Sequence, residues 1–244
     1  MSTSLGDDGG DHWLPVESNP EVFNDYAAKL GWPTSQFCWQ DLLSFEDWAT
    51  AMIPRPVLAV AMLYNIVPAQ EAHREAEELV RAAAPPAGSS PFFITQEIAN
   101  ACGTIALVHG CVHASAAAGG PVALPPGTWF ARFAEKALPL GPAERAVLLR
   151  EDEGLAASHA DAVQGGQSAV VDDTWQHFVC FVSAGGRLWE LDGRKGGPID
   201  HGACGGEALL EGSSRVVQAF MARDPGSLRF TMLALAPPPP PEDD

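Results

Sequence analysis

The sequence predicts one mixed α/β domain, and three observations carry that prediction. Of 244 residues, 46% are apolar and 18% charged, enough to build a core without disulfide or metal staples. Stretches with helical period are interleaved with short apolar or alternating runs that read as strands. No repeat and no internal linker divides the chain, so the domain is expected to run from residue 12 to 236. Residues 1–11 are acidic and Gly-rich and are expected to be disordered. Residues 237–244, five prolines before Glu-Asp-Asp, read as a solvated polyproline tail.

The elements follow in order. Asn19-Pro20-Glu21 is an N-cap with proline at the first helical position. Val22, Phe23, Tyr26 and Leu30 then share one face, and Gly31 ends the helix. Val57 to Tyr64 is a short apolar run, a buried strand. Residues 70–83 are Glu-, Ala- and Arg-rich, a solvated helix, and Ala84 to Ser90 is a Pro/Gly/Ser loop. After Gly103, the spacing of Ile105, Val108 and Val112 is helical, and residues 127–138 and 142–150 are two further helices. Residues 151–175 show no period and read as one long loop, the kind that carries function. His177 to Ser183 and Arg187 to Asp192 form a hairpin, 207–222 an amphipathic helix, and Leu228 to Ala236 a last strand.

Composition excludes some functions. Fourteen basic against 31 acidic residues give a net charge of −17, which argues against nucleic acid as a partner. No apolar run approaches the length of a membrane span, and the N-terminus lacks the charged and apolar regions of a secretory signal. The five cysteines, Cys38, Cys102, Cys111, Cys180 and Cys204, are odd in number and lack C-x-x-C spacing. They read as reduced thiols of a cytoplasmic or nuclear protein, with no disulfide framework and no zinc cluster. No cofactor is expected. His109 and His113 lack a third metal ligand, and His73 and His201 read as surface residues.

Two places have the chemistry of a site. If the hairpin turn is Ala184-Gly185 or Ser183 to Gly186, paired residues sum to 369 and His177 faces Asp192, where a carboxylate orients an imidazole. A three-residue turn would shift the register and spoil the pairing. The second place is Cys102, in the first turn of its helix, where the macrodipole and free N–H groups favour a thiolate. Gln96, six residues earlier, could hold an oxyanion together with the Cys102 N–H. Thiol, amide donor and His–Asp pair together match the nucleophile, base and orienter of cysteine hydrolases.

These residues resemble the ubiquitin carboxyl-terminal hydrolase family. The likeness spans Trp13 to about Ala236. It rests on Trp13 to Glu21, Pro54-Arg-Pro-Val57, Gln96 with Asn100 to Thr104, His177-Phe178, the Glu-Leu-Asp-Gly-Arg core at 190–194, and Arg223-Asp-Pro225. The resemblance implies a papain-like fold with a central antiparallel sheet flanked by helices and a knotted backbone. It implies Cys102 as nucleophile, His177 as general base and acid, Asp192 as orienter and Gln96 as oxyanion donor. It also places an active-site crossover loop at 151–175, where His159 and Gly166-Gln-Ser168 resemble family content. The implied substrate is ubiquitin, bound by its C-terminal tail and globular face, or a related ubiquitin-like protein. Leu14, Pro15, Val16, Glu17, Asn100, His159 and Gln167 are the candidate contacts. After Phe37, Cys38 to Leu43 replaces an Asp-Val-Tyr-Gly-like family stretch, leaving Asp41 as the substitute acid. Trp13, Trp175 and Trp189 are read as packing residues.

Overall fold

Among the described residues, six strands form a single antiparallel sheet in the order β1-β6-β2-β3-β4-β5. They are β1 (Cys38–Asp41), β2 (Ala59–Asn65), β3 (Gln176–Ala184), β4 (Arg187–Leu191), β5 (Ile199–Ala203) and β6 (Thr231–Ala236). The computed structural model describes residues 12–83, 90–167, 175–205 and 208–240. The expectations for residues 1–11, the 84–89 loop, Ser168 to Thr174 and the last four residues therefore lie outside the described residues. Among those described, eight α-helices flank the sheet: α1 (Pro20–Lys29), α2 (Asp47–Ala51), α3 (Pro68–Ala83), α4 (Cys102–Ala114), α5 (Trp129–Ala137), α6 (Pro142–Arg150), α7 (Glu153–Gln164) and α8 (Leu209–Arg223).

Strand alternation divides the core into two layers. Ala59 and Ala61, Phe178, Cys180 and Val182, and Leu233 and Leu235 face the layer that holds α1 and α4. Val60, Met62 and Tyr64, Val179 and Phe181, and Met232 and Ala234 face the layer with α8. All of α4 except His113 is buried. A helix apolar on every side belongs inside, and this one lies across β2 and β3 with Cys102 at its N-terminal end.

The N-cap at Asn19 accepts the Glu21 N–H at 2.8 Å, and Gly31 has φ +84°, so α1 starts and stops as its sequence dictates. Two expectations fail. The segment 151–175 is not one loop, because α7 occupies Glu153–Gln164. Its N-cap is Asp152, which accepts the Leu155 N–H at 2.9 Å. Its buried side chains, Leu155, His159, Ala162 and Val163, have a helical spacing diluted by the Gly, Ala and Ser between them. The hairpin turn is Gly185-Gly186, not Ala184-Gly185, and paired residues sum to 371 (Ala184 with Arg187, Cys180 with Leu191). Both glycines have positive φ, +59° and +73°, the requirement of a type I′ turn, which Ala184 would meet only under strain. The short elements β1, β5 and α2, four or five residues each, carry too little pattern to be read from sequence.

Candidate active site

The corrected register moves Asp192 two residues from its expected place. Because the shift is even, Asp192 stays on the face of His177 as a diagonal neighbour rather than an opposed one. The His177 Nε2–H donates to Asp192 Oδ1 at 2.6 Å, and both side chains are buried. The other ring nitrogen, Nδ1, is then the one left for the Cys102 thiol, which hydrogen-bonds the same imidazole. Tyr64 stands edge-on to that ring at 5.9 Å.

Electrostatics follow from this packing. Burial alone would push the Cys102 thiol up. The hydrogen bond and charge of His177, with the N–H groups of Phe178 and Gly103, bring it below the ordinary thiol value. Burial would likewise lower His177, but the charge and hydrogen bond of Asp192, aided by Cys102, lift it to about 9. Asp192 is held well below the usual carboxylate range: the imidazole's charge and hydrogen bond, the Lys195 ammonium and the Arg194 N–H outweigh its burial. The arrangement therefore favours a thiolate–imidazolium pair.

Gln96 is half-buried and comes to the same place on an irregular segment. That segment is fixed by side chains rather than by a sheet: His109 Nε2 accepts the Ile94 N–H at 2.9 Å, and Arg145 donates to Phe93 O at 3.0 Å. The Gln96 amide donates one N–H to Ile98 O at 3.1 Å, its second N–H has no partner among the described residues, and its backbone N–H donates to Gly193 O at 2.8 Å. A Cβ on Gly193 would lie 3.0 Å from that of Gln96, so a side chain there would press the Gln96 segment back by a few tenths of an ångström. Cys102, His177, Asp192 and Gln96 are thus brought together.

The expected contact residues divide. Leu14 is 42% exposed, Gln167 is exposed, and Pro15 and Asn100 are half-buried at the surface. Asn100 has φ +60°, a left-handed conformation that asparagine tolerates, two residues before Cys102. Glu17 accepts the Gln167 N–H at 2.7 Å. Two expectations are corrected. Val16 is buried, packed over Gly103 where a Cβ would meet it at 3.3 Å. His159 is a buried member of α7, not a loop residue at the cleft, and both its ring nitrogens are engaged. Burial lowers it to about 4, so it is neutral. Its Nε2–H donates to Leu14 O at 2.8 Å, its Nδ1 accepts from the Thr104 hydroxyl at 2.8 Å, and Thr104 in turn accepts from Tyr26 at 3.0 Å.

The remaining residues also differ in part from expectation. Trp175 is 58% exposed rather than packed, whereas Trp189 is buried and Trp13 lies on the His159 ring at 4.3 Å. His201 is half-buried at the surface, and its Nε2 meets buried Glu190 at 2.8 Å. His109 and His113 satisfy backbone groups of residues 92–94, and no metal-ligating cluster occurs among the described residues. No described helix is long and apolar enough to cross a membrane. Sequence reasoning missed the ion pairs behind Asp192. Arg194 holds Glu71 of α3 bidentately, at 2.8 Å twice, and Lys195 joins Glu77 of α3 to Glu190 of β4. The available signal was two acids spaced i, i+2 on a strand, Glu190 and Asp192, with two cations directly after them.

Comparison with known proteins gives the family and the fold. The family model described as "Ubiquitin carboxyl-terminal hydrolase, family 1" matches residues 13–222. "Ubiquitin carboxyl-terminal hydrolase 3" of Arabidopsis thaliana is 34% identical over 97% of this chain and 99% of its own. A ubiquitin carboxyl-terminal hydrolase of Drosophila melanogaster is 37% identical over 91% and 96%. Among solved structures, Trichinella spiralis UCH37 bound to ubiquitin vinyl methyl ester superposes with a TM-score of 0.68 at 18% identity, covering 92% of this chain and 81% of that one. That likeness supports the fold, and the sequence matches establish the kinship: this chain belongs to ubiquitin carboxyl-terminal hydrolase family 1, a family of cysteine peptidases.

Proposed function

We propose that the chain is a deubiquitinating thiol hydrolase that removes small or flexible adducts from the C-terminal glycine of ubiquitin. The observation that carries this reading is the buried Asp192–His177 pair at 2.6 Å, with the Cys102 thiol hydrogen-bonded to the same ring at the N-terminus of α4. In this mechanism the Cys102 thiolate attacks the glycine carbonyl carbon. The oxyanion is held by the Cys102 N–H and the second side-chain N–H of Gln96. The His177 imidazolium protonates the leaving amine or alcohol as the bond to the carbonyl breaks. Neutral His177 then takes a proton from water as the water attacks the thioester, and returns it to the departing sulfur. Asp192 keeps the ring aimed and supports its positive charge. A net charge of −17 has the right sign to steer the arginine-bearing tail of ubiquitin.

The test is intact-mass analysis after mixing the protein with ubiquitin carrying a C-terminal thiol-reactive warhead. One adduct, mapped to Cys102 and lost in Cys102→Ala, is expected. Cys102→Ala should abolish turnover while keeping ubiquitin affinity. Binding without adduct would instead indicate a silent ubiquitin-binding module. Neither binding nor adduct would direct the search to other ubiquitin-like tails.

A further inference from the structure

The turn Asp192 to Lys195 serves two parts of the site at once. Asp192 Oδ1 accepts the Arg194 N–H at 2.9 Å as well as the imidazole N–H, and Asp192 O accepts the Lys195 N–H at 2.9 Å. Between them, Gly193 O holds the Gln96 backbone at 2.8 Å. One four-residue turn therefore sets both the carboxylate bonded to His177 and the backbone of Gln96, the proposed oxyanion donor. Within this turn, Lys195 reaches into the protein alongside Asp192. It is 3% exposed, and its ammonium is held at 2.6 Å by Glu77 of α3 and at 2.5 Å by Glu190 of β4. Glu190 of β4 and Asp192, just past its end, are both buried, so the cation also screens two carboxylates that would repel each other.

We propose that Lys195 is a positioning residue. It touches neither substrate nor reacting atoms, but pins the turn to α3 and β4 so that Asp192 and Gln96 keep their places. This inference rests on the proposed hydrolase chemistry of the site. Replacing Lys195 by methionine keeps the apolar stem and removes the anchor. For hydrolysis of a ubiquitin C-terminal fluorogenic amide, Lys195→Met should lower kcat by roughly tenfold to a hundredfold, the scale set by small misplacements of catalytic groups. KM should stay within about twofold, because no substrate contact is lost. Lys195→Arg, which keeps a cation between Glu77 and Glu190, should recover most of the loss. Wild-type kcat in Lys195→Met, a loss confined to KM, or no recovery with arginine would each overturn the proposal.

Should Lys195→Met fail to fold, Glu77→Gln removes only the α3 end of the anchor. It should still lower kcat severalfold at constant KM, and an unchanged kcat would overturn the proposal. The rate of Cys102 alkylation by iodoacetamide at neutral pH separates this inference from the proposed function, since it needs no ubiquitin. Slower alkylation in Lys195→Met than in wild type supports the positioning role even if ubiquitin substrates are not turned over. Equal rates overturn it.

Discussion

On one side of Cys102 the buried fastenings are neutral groups, and on the other they are charges. The neutral side is the chain Tyr26, Thr104, His159 and Leu14 O, which ties α1, α4 and α7 to the segment at residues 12–17. The charged side is Glu71 with Arg194 and the series Glu77, Lys195, Glu190 and His201, which ties α3 to the Asp192 turn and to β5. The difference matches what each side must hold. His177 is to carry a positive charge during the reaction, and the charged side keeps its partner Asp192 ionised. The neutral side supports the segment that packs Val16 against Gly103, in the apolar interior, where an added charge would need its own compensation.

The largest expected effect comes from breaking the charged side at its most buried member. Glu190→Leu leaves the Lys195 ammonium short of a partner, and urea unfolding should show a loss of about 3–5 kcal/mol. A loss below that of the neutral-side variant would break the comparison. On the neutral side, His159→Leu unpairs Leu14 O and leaves the Thr104 hydroxyl with Tyr26 alone, and should cost about 1–3 kcal/mol.

Acid should separate the two sides. His159, His109 and His113 are held by burial at about 4, 3 and 4, below the ordinary 6.5. The unfolded chain then binds more protons, so their contribution is present above pH 6.5 and is lost as pH falls from 6.5 toward 4. Asp192, Glu190, Glu71 and Glu78 are shifted down, so their contribution is lost only below the ordinary carboxylate range. Unfolding free energy should therefore fall in two stages, and His159→Leu should flatten the first. A single stage confined to pH below about 4 would contradict this. At the alkaline end His177 is raised to about 9, so kcat/KM should fall as pH passes about 9 and the imidazolium is lost. The smallest effect is expected at the surface pair of Lys29 and Asp161, both largely exposed, where Lys29→Ala should leave the thermal midpoint unchanged.

The neutral and charged sides were unequally legible in the sequence. Cys102, Gln96, His177 and Asp192 could be picked out because each belongs to a local pattern: a helix start, a short spacing or a hairpin. The hairpin argument reached the His–Asp pair from an incorrect register, since an error of two residues preserves the face. The helix α7 was hidden because Gly154, Ala156, Ala157 and Ser158 dilute its apolar period. The family resemblance points to His159 as loop content, whereas it lies on the buried face of α7. The network on α3 was invisible because Glu71 and Glu77 lie more than a hundred residues from their partners, and a Glu-rich helix reads as solvated until its neighbour is known.

The shared turn has a consequence for how substitutions combine. Losses at Asp192, Gly193 and Lys195 are not separate injuries, because each displaces the same four residues and, through the Gly193 carbonyl, Gln96 as well. The first substitution there should forfeit most of what the later ones could remove, so paired variants should fall well short of the product of their single effects. An evolving sequence could therefore revise this turn only by changing several of its members together.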